Sequence, residues 1–204
     1  MSKKPLIVFE GIECSGKSLH INNVVNYFKK KKIKFIKIRE PGGNKNSEKI
    51  RKLILNNKSN FNKVTDLFLY LAARNENIEN IIKQNIGKKV ILIDRFVDST
   101  VAYQHYGMNI DINFINMINN FLIKKIKVNF TFLNLINKKN IQLRLASRKN
   151  LNRYDKFKML FYKKVQSGFI LIANKNKNKY LKINSNLDIS INKTIVIKKI
   201  NKLI

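Results

Sequence analysis

The chain has 204 residues, of which 44% are hydrophobic, so its composition predicts one globular domain over 1–204 and excludes a mainly disordered protein. No apolar run is long enough to cross a bilayer, so we expect no membrane span. Cys14 is the only cysteine, which excludes an internal disulfide, and we expect a cytoplasmic protein. The formal net charge of +30 predicts attraction to polyanions such as nucleic acid.

Short apolar runs alternate with helical patterns along the whole chain. The predicted strands are 6–9, 33–38, 90–93, 128–135 and 180–183. The predicted helices are 17–31, a segment around 50–54, 63–86, a segment after 95 that ends at 125, a segment ending near 148, 155–173 and the C-terminal residues. This alternation indicates an α/β fold in three layers, α/β/α, with a five-stranded parallel sheet flanked by helices.

Three polar loops follow Phe9, Ile38 and Ile93, at the ends of predicted strands. In parallel sheets of this kind, ligands bind beyond the carboxyl ends of the strands. We therefore expect the three loops to meet at one site.

The first of these loops, residues 11–18, matches the phosphate-loop pattern Gly-x-x-x-x-Gly-Lys-Ser. Its glycines let backbone N–H groups turn toward phosphate oxygens, Lys17 can reach the β- and γ-phosphates, and the Ser18 hydroxyl can coordinate Mg²⁺. The motif predicts a P-loop NTP-hydrolase-like fold that binds ATP with Mg²⁺. The expected ATP-binding residues are Gly11, Ile12, Glu13, Cys14, Ser15, Gly16, Lys17, Ser18 and Leu19.

The basic residues carry a second signal. Lysines are spread from Lys3 to Lys202, which favours an AT-biased genome over a selected nucleic-acid surface, so we expect no stable nucleic-acid partner. A basic nucleic-acid-binding P-loop ATPase remains the alternative. Under such a bias, arginine should persist mainly where its planar, two-pronged guanidinium is required. The seven arginines are Arg39, Arg51, Arg74, Arg95, Arg144, Arg148 and Arg153.

Several motifs, in order and with family spacing over about residues 6–173, resemble the thymidylate kinase family. They are Phe-Glu-Gly-Ile-Glu at 9–13, Arg-Glu-Pro-Gly-Gly at 39–43, Ala-Ala-Arg at 72–74, Asp-Arg-Phe at 94–96, Ser-Thr-Val-Ala-Tyr-Gln at 99–104, and the Arg-rich loop before Asp155. The resemblance implies ATP-dependent phosphorylation of dTMP to dTDP, for dTTP biosynthesis, by a homodimer. A kinase for another nucleoside monophosphate remains a second alternative.

The resemblance also implies roles for single residues. Arg95, with Arg39 nearby, would bind the acceptor phosphate, while Arg74 would reach the thymine edge. Asp94 would bind Mg²⁺ through water, beside Ser18, or would be only a structural partner of Arg95. The implied dTMP-binding residues are Glu13, Arg39, Tyr70, Arg74, Arg95, Thr100, Tyr103 and Gln104.

A small mobile lid over ATP is implied at about 144–155. Because the phosphate loop has no arginine, the lid should supply the one that stabilises the transferring phosphoryl group. We expect Arg148 or Arg153 in this role, whereas Arg144 can equally be a helix-surface residue. The expected catalytic residues are Lys17, Arg95, Arg148 and Arg153. Cys14 stands where the family usually has Gly and needs a backbone angle that side chains disfavour.

Overall fold

The structure, a computed structural model, describes residues 4–124 and 126–204, and a parallel sheet lies at its centre. Within these residues the strands are β1 (Leu6–Glu10), β2 (Phe35–Arg39), β3 (Val90–Asp94), β4 (Phe130–Leu135) and β5 (Tyr180–Asn184). Their spatial order is β2-β3-β1-β4-β5, and each neighbouring pair is parallel. The prediction of a five-stranded parallel sheet is confirmed.

Helices cover both faces of this sheet. They are α1 (Lys17–Lys30), α2 (Lys45–Leu55), α3 (Lys63–Asn77), α4 (Lys83–Asn85), α5 (Val97–Thr100), α6 (Ile112–Ile123), α7 (Lys138–Ala146), α8 (Met159–Lys175) and α9 (Ile189–Leu203). A π-helical segment, Ile78–Ile82, joins α3 to α4, and another, Val101–Gly107, extends α5. Among the described residues, none of the helices has the length and apolarity required to cross a membrane.

The central strand β1 shows why the sheet needs two covering layers. All five of its residues are buried, and alternate residues of a strand point to opposite faces. Phe9 packs in one cluster with Phe28 of α1 and Val196 of α9. Val8 belongs to a second cluster with Ile78 on the other face. The apolar run therefore predicts a strand that is buried on both sides, as the three-layer fold requires.

The predicted continuous helix after β3 is wrong. The π-helical segment ends at Gly107, and α6 begins only at Ile112. Between them Asn109 adopts a left-handed φ of 56°, and the Asp111 carboxylate accepts a hydrogen bond from the Phe114 amide at 2.8 Å. These two residues end one helix and cap the next. The predicted end of the helix, Lys125, lies outside the described residues.

The helix predicted from residue 155 begins later, at Met159. Before it, Arg153–Lys156 form a single 3₁₀ turn. The Asn152 side chain accepts from a backbone amide of this turn, while the Asp155 carboxylate accepts from the Asn152 amide at 3.0 Å. This reciprocal capping starts the turn and ends the loop in which the lid was predicted.

Candidate functional site

The carboxyl ends of β1, β2 and β3 open into a cavity of about 670 Å³, a volume typical of small-molecule sites. Seven of the nine expected ATP-binding residues line it, all except Gly11 and Ile12. The two expected Mg²⁺ ligands, Ser18 and Asp94, also line it. So do all the expected acceptor-binding residues, which are Glu13, Arg39, Tyr70, Arg74, Arg95, Thr100, Tyr103 and Gln104.

The phosphate loop joins β1 to α1 through an unusual backbone. At Gly11, with φ of 140°, a Cβ atom would lie 2.5 Å from the Asn134 carbonyl oxygen, so only glycine fits. Gly16 has φ of 84° directly before α1. Cys14 also adopts a left-handed φ, 57°, which costs a residue with a side chain roughly 1–2 kcal/mol. The loop therefore has the backbone that the motif requires, with strain at Cys14.

Lys17 folds back over this loop. Its Nζ donates to the carbonyl oxygens of Gly11 and Ile12, each at 2.9 Å, and the side chain is buried. Burial, together with the nearby Arg95 charge, lowers the pKa of Lys17 to about 8. A bound phosphate would give this ammonium a better partner than two carbonyls.

Ser18 and Asp94 offer a small set of oxygen ligands. The Ser18 hydroxyl donates to a carboxylate oxygen of Asp94 at 3.2 Å. The described residues contain no cluster of three or more His, Cys, Asp or Glu side chains able to bind a metal. Mg²⁺ is usually bound by one or two protein oxygen ligands, together with water molecules and substrate phosphates. The Ser18 hydroxyl and the Asp94 carboxylate match that pattern. The residues present therefore fit the expected ion.

Arg95 lies at the boundary between the phosphate loop and the rest of the cavity. Its Nη1 donates to the Gly11 carbonyl at 2.8 Å, and its Nη2 donates to a Glu13 carboxylate oxygen at 2.9 Å. The other Glu13 oxygen accepts from the Tyr103 hydroxyl at 2.6 Å. The Tyr103 ring lies 5.0 Å from the guanidinium carbon. Glu13 thus neutralises an arginine whose two-pronged geometry suits an anion.

A buried glutamate, which sequence reasoning missed, supports the turn that carries Arg95. Glu10, at the end of β1, accepts from the Phe96 amide at 2.8 Å and the Ser99 hydroxyl at 2.5 Å. Burial, reinforced by the negative charge of Asp98, raises the pKa of Glu10 to about 8. Its side chain therefore fixes the start of α5 relative to the phosphate loop.

Arg74 lies deep in the cavity with its guanidinium bound on three sides. Nε donates to Glu40 at 2.8 Å, Nη1 to the Asn119 side chain at 2.8 Å, and Nη2 to the Phe96 carbonyl at 2.9 Å. Burial raises the pKa of Glu40, which the Arg74 charge opposes. The guanidinium is thus held in one orientation at the cavity wall by partners from three separate segments.

Three further acceptor-binding candidates line the same cavity as Arg74. Thr100 and Gln104 are buried polar side chains, and both line the cavity. Tyr70 lies one helical turn before Arg74 on α3. Burial keeps its phenol protonated by raising the pKa of Tyr70. The pocket therefore combines aromatic surface with a few fixed polar groups, as small-molecule sites commonly do.

The second motif loop brings two further arginines. Arg39 is exposed and pairs with Glu48 at 3.1 Å. Arg51, from α2, lines the cavity and donates to the Pro41 carbonyl at 2.6 Å. Sequence reasoning assigned Arg51 no role, although the scarcity of arginine had singled it out.

The predicted lid region contributes two arginines to the cavity. Arg144, at the end of α7, donates to the Cys14 carbonyl at 2.9 Å and to the Ser185 carbonyl at 2.8 Å. It therefore contacts the phosphate loop and is more than a helix-surface residue. Arg148 lines the cavity and forms an ion pair with the buried Asp155.

The structure does not bring Arg153 to the phosphate loop. Its Nε donates to the Ile54 carbonyl at 3.1 Å, and its Nη2 pairs with the Asp66 carboxylate. These partners lie at the end of α2 and the start of α3, away from the expected ATP site. Arg153 is not among the residues that line the cavity, whereas Arg148 is, so the position of Arg153 does not support the expected catalytic role.

Comparisons with known proteins agree in one family. The family profile described as thymidylate kinase matches residues 9–195. Thymidylate kinase of Sulfurihydrogenibium sp. (strain YO3AOP1) is 38% identical over 193 residues, which are 93% of this chain and 94% of that protein. Thymidylate kinase of Thermosipho africanus (strain TCF52B) is 37% identical over 86% of this chain and 87% of its own length. The crystal structure of thymidylate kinase from Ehrlichia chaffeensis superposes with a TM-score of 0.78 at 29% identity, covering 97% and 98% of the two chains.

Proposed function

The chain belongs to the thymidylate kinase family and phosphorylates dTMP, and we propose that the phosphoryl group passes directly from MgATP to dTMP because the binding sites for the two phosphate groups are adjacent. One contact carries this proposal. Arg95, the proposed ligand of the acceptor phosphate, donates to the Gly11 carbonyl of the phosphate loop at 2.8 Å. The two phosphate-binding sites are therefore in direct contact, so the donor and acceptor phosphates can lie as close together as direct transfer requires.

The donor half of the site binds the ATP phosphates. Backbone amides of the phosphate loop would surround them, and Lys17 would exchange its two carbonyl partners for phosphate oxygens. Ser18 and Asp94 would bind Mg²⁺, which when bound offsets the negative charge of the phosphates.

The acceptor half binds a substrate that is already ionised. In our proposal Arg95 exchanges the Glu13 carboxylate for the dTMP phosphate, and Glu13 is then free to accept a hydrogen bond from the sugar 3′-hydroxyl. Arg39 adds positive charge at the rim. Because the attacking phosphate oxygen carries no proton that must be removed, no general base is required, and positioning with electrostatic stabilisation suffices.

The thymine is selected by donors in fixed orientation. Arg74 carries only hydrogen-bond donors, so it suits the thymine carbonyl and disfavours the amino group that cytosine has there. Its three protein partners keep it in place before substrate arrives. Tyr70 would pack against the ring, while Thr100 and Gln104 would bind its remaining polar edge.

For the lid we propose Arg148 and Arg144 in place of Arg153. Both line the cavity, and Arg148 would leave Asp155 for the transferring phosphoryl group as charge develops there. Replacing Arg148 with Lys should lower kcat roughly tenfold or more, since one charge-assisted hydrogen bond is lost mainly in the transition state. Unchanged kcat in that variant, measured with both substrates saturating, would refute its role.

Label transfer tests the central proposal. ATP labelled in its γ-phosphate should yield labelled dTDP in amounts equal to the ADP formed, and a chelator of divalent ions should stop the reaction. Release of labelled inorganic phosphate in place of dTDP would contradict direct transfer. ATP hydrolysis that rises with added nucleic acid and falls with salt would instead favour the nucleic-acid-binding alternative.

We also propose that two copies of the chain associate through α3 and α6. Phe68 of α3 and Met117 and Phe121 of α6 are 51%, 61% and 68% exposed on adjacent helices, and family resemblance supports a homodimer. Light scattering should give a dimer mass that Phe121→Glu converts to a monomer mass. Leu171→Glu, at a similarly exposed leucine on α8, is the matched control. A monomeric wild-type chain would refute the proposal.

The cytoplasm is the proposed location. The chain has one cysteine and therefore no internal disulfide to maintain, which suits a reducing compartment. Fractionation of cells that express the full chain should recover it with cytoplasmic markers, and recovery with membranes would contradict this.

A further inference from the structure

One buried carboxylate near the cavity has no part in the mechanism above. Asp66, in the first turn of α3, is buried, and both of its oxygens are engaged. One oxygen accepts from Arg153 Nη2, and the other accepts from the Tyr154 hydroxyl at 3.1 Å. Two consecutive residues at the end of the predicted lid are thus bound by a single carboxylate that is distant in sequence.

Arg153 has further partners besides Asp66. Its Nε donates to the Ile54 carbonyl at 3.1 Å, and its guanidinium carbon lies 5.8 Å from the Phe61 ring and 5.3 Å from the Tyr154 ring. A buried charge without its partner is costly, so Arg153 and Asp66 hold each other in place. They attach the end of the lid to α2 and α3.

Tyr154 extends this attachment into the acceptor pocket. It is buried, yet it lines the cavity. Its ring lies edge-on to Tyr70 with centroids 5.8 Å apart, and it lies 6.1 Å from the Tyr103 ring. Its carbonyl accepts from the Tyr162 hydroxyl at 2.7 Å. Tyr154 therefore contacts both tyrosines assigned above to dTMP binding.

We propose that Asp66 is a positioning residue for the acceptor site: it orients Tyr154, whose ring forms a wall against Tyr70 and Tyr103 and so sets the shape of the dTMP pocket. This inference rests on the proposed assignment of that pocket to dTMP. It gives Arg153 a positioning role as well, since its guanidinium holds the same carboxylate. The effect should fall on dTMP binding more than on the transfer step, because Asp66 touches neither the phosphate loop nor Arg148.

The test uses steady-state kinetics on Tyr154→Phe, Asp66→Asn and the double variant. Tyr154→Phe keeps the ring and removes the hydroxyl, which binds Asp66 and also interacts with the Tyr70 hydroxyl, so the comparison with Asp66→Asn and the double variant isolates the part that depends on Asp66. It should raise KM for dTMP about two- to tenfold, the range of one hydrogen bond. KM for ATP and kcat should change less than about twofold. Asp111→Asn is the control, because this exposed carboxylate also lies at the start of a helix, where it accepts from the Phe114 amide and not from a lid residue.

The double variant tests whether the hydroxyl acts through Asp66. If it does, the double variant should lose less dTMP affinity than the product of the two single effects, whereas independent effects multiply. Calorimetric titration with dTMP alone should reproduce the loss without any catalytic step. A multiplicative double variant, or an equal change in kcat and both KM values, would overturn the inference.

Failure of this inference is distinguishable from failure of the proposed function. If the wild-type chain does not convert dTMP, the proposed function fails. If it does, and Tyr154→Phe leaves KM for dTMP unchanged, only the positioning role fails. Should Asp66→Asn not fold, an unchanged KM for dTMP in Tyr154→Phe still overturns the inference, since core packing is preserved in that variant.

Discussion

Replacing Arg95 with Lys should weaken dTMP binding although the positive charge is kept. The guanidinium binds the Gly11 carbonyl at 2.8 Å through Nη1 and a Glu13 oxygen at 2.9 Å through Nη2, so both prongs are engaged at once. One ammonium cannot occupy both positions. Loss of one charge-assisted hydrogen bond costs about 1.5–3 kcal/mol, or roughly ten- to a hundredfold. If Arg95 binds the acceptor phosphate both before and during transfer, as proposed, this loss should appear mainly in KM for dTMP.

The assay is ADP release with dTMP varied at saturating ATP, then with ATP varied at saturating dTMP. Arg39→Lys is the comparison variant: Arg39 also belongs to the proposed acceptor site, but 55% of its side chain is exposed and it pairs with Glu48 at the surface, so Lys should keep most of its contribution. A surface pair contributes only about 0–1 kcal/mol, so KM should change less than about fivefold. The reasoning fails if Arg95→Lys leaves KM for dTMP near the wild-type value, or if the two variants lose affinity equally.

Three further predictions concern pH, base selection and surface charge. Because the pKa of Lys17 is lowered to about 8, its ammonium is lost above that pH; kcat/KM for ATP should fall with rising pH there, and a flat profile would contradict the assignment. Arg74→Lys should reduce the preference for dTMP over dCMP roughly tenfold and lower Tm, because buried Glu40 loses part of its partner; equal discrimination in the variant would refute the role. If the basic surface reflects drift, Glu substitutions at exposed lysines should leave dTMP turnover nearly intact, and a large loss would show that the charge is functional. The positions are Lys29, Lys58 and Lys177.

The phosphate loop and the sheet could be predicted from sequence because their determinants are local. A buried apolar run followed by Gly11 and Gly16 specifies a strand, a turn with positive φ and a helix start within a dozen residues. The alternation of predicted strands and helices along the chain is then enough to indicate a parallel sheet. The failures in helix bounds were also local, since Asn109 and Asp111 interrupt an otherwise apolar pattern.

The partners of the arginines could not be predicted in this way. Scarcity of arginine identifies positions where a two-pronged cation is needed, but not the anion that it binds. Arg95 and Arg74 each pair with a glutamate and line the cavity, whereas Arg153 pairs with Asp66, 87 residues away in sequence, and is not among the lining residues. A guanidinium binds a buried carboxylate and a phosphate with the same two-pronged geometry. A retained arginine is therefore expected both at a ligand site and in an internal ion pair. Only the fold separates them.

Comparing nucleoside monophosphates as acceptors tests the assigned activity most directly. With MgATP as donor, kcat/KM should be measured for dTMP, dCMP, dGMP and AMP under the same conditions. The highest value should belong to dTMP, with dTDP and ADP formed in equal amounts, because Arg74 and its fixed partners suit a pyrimidine carbonyl. A purine monophosphate with comparable kcat/KM, or no dTDP at all, would contradict a dTMP kinase.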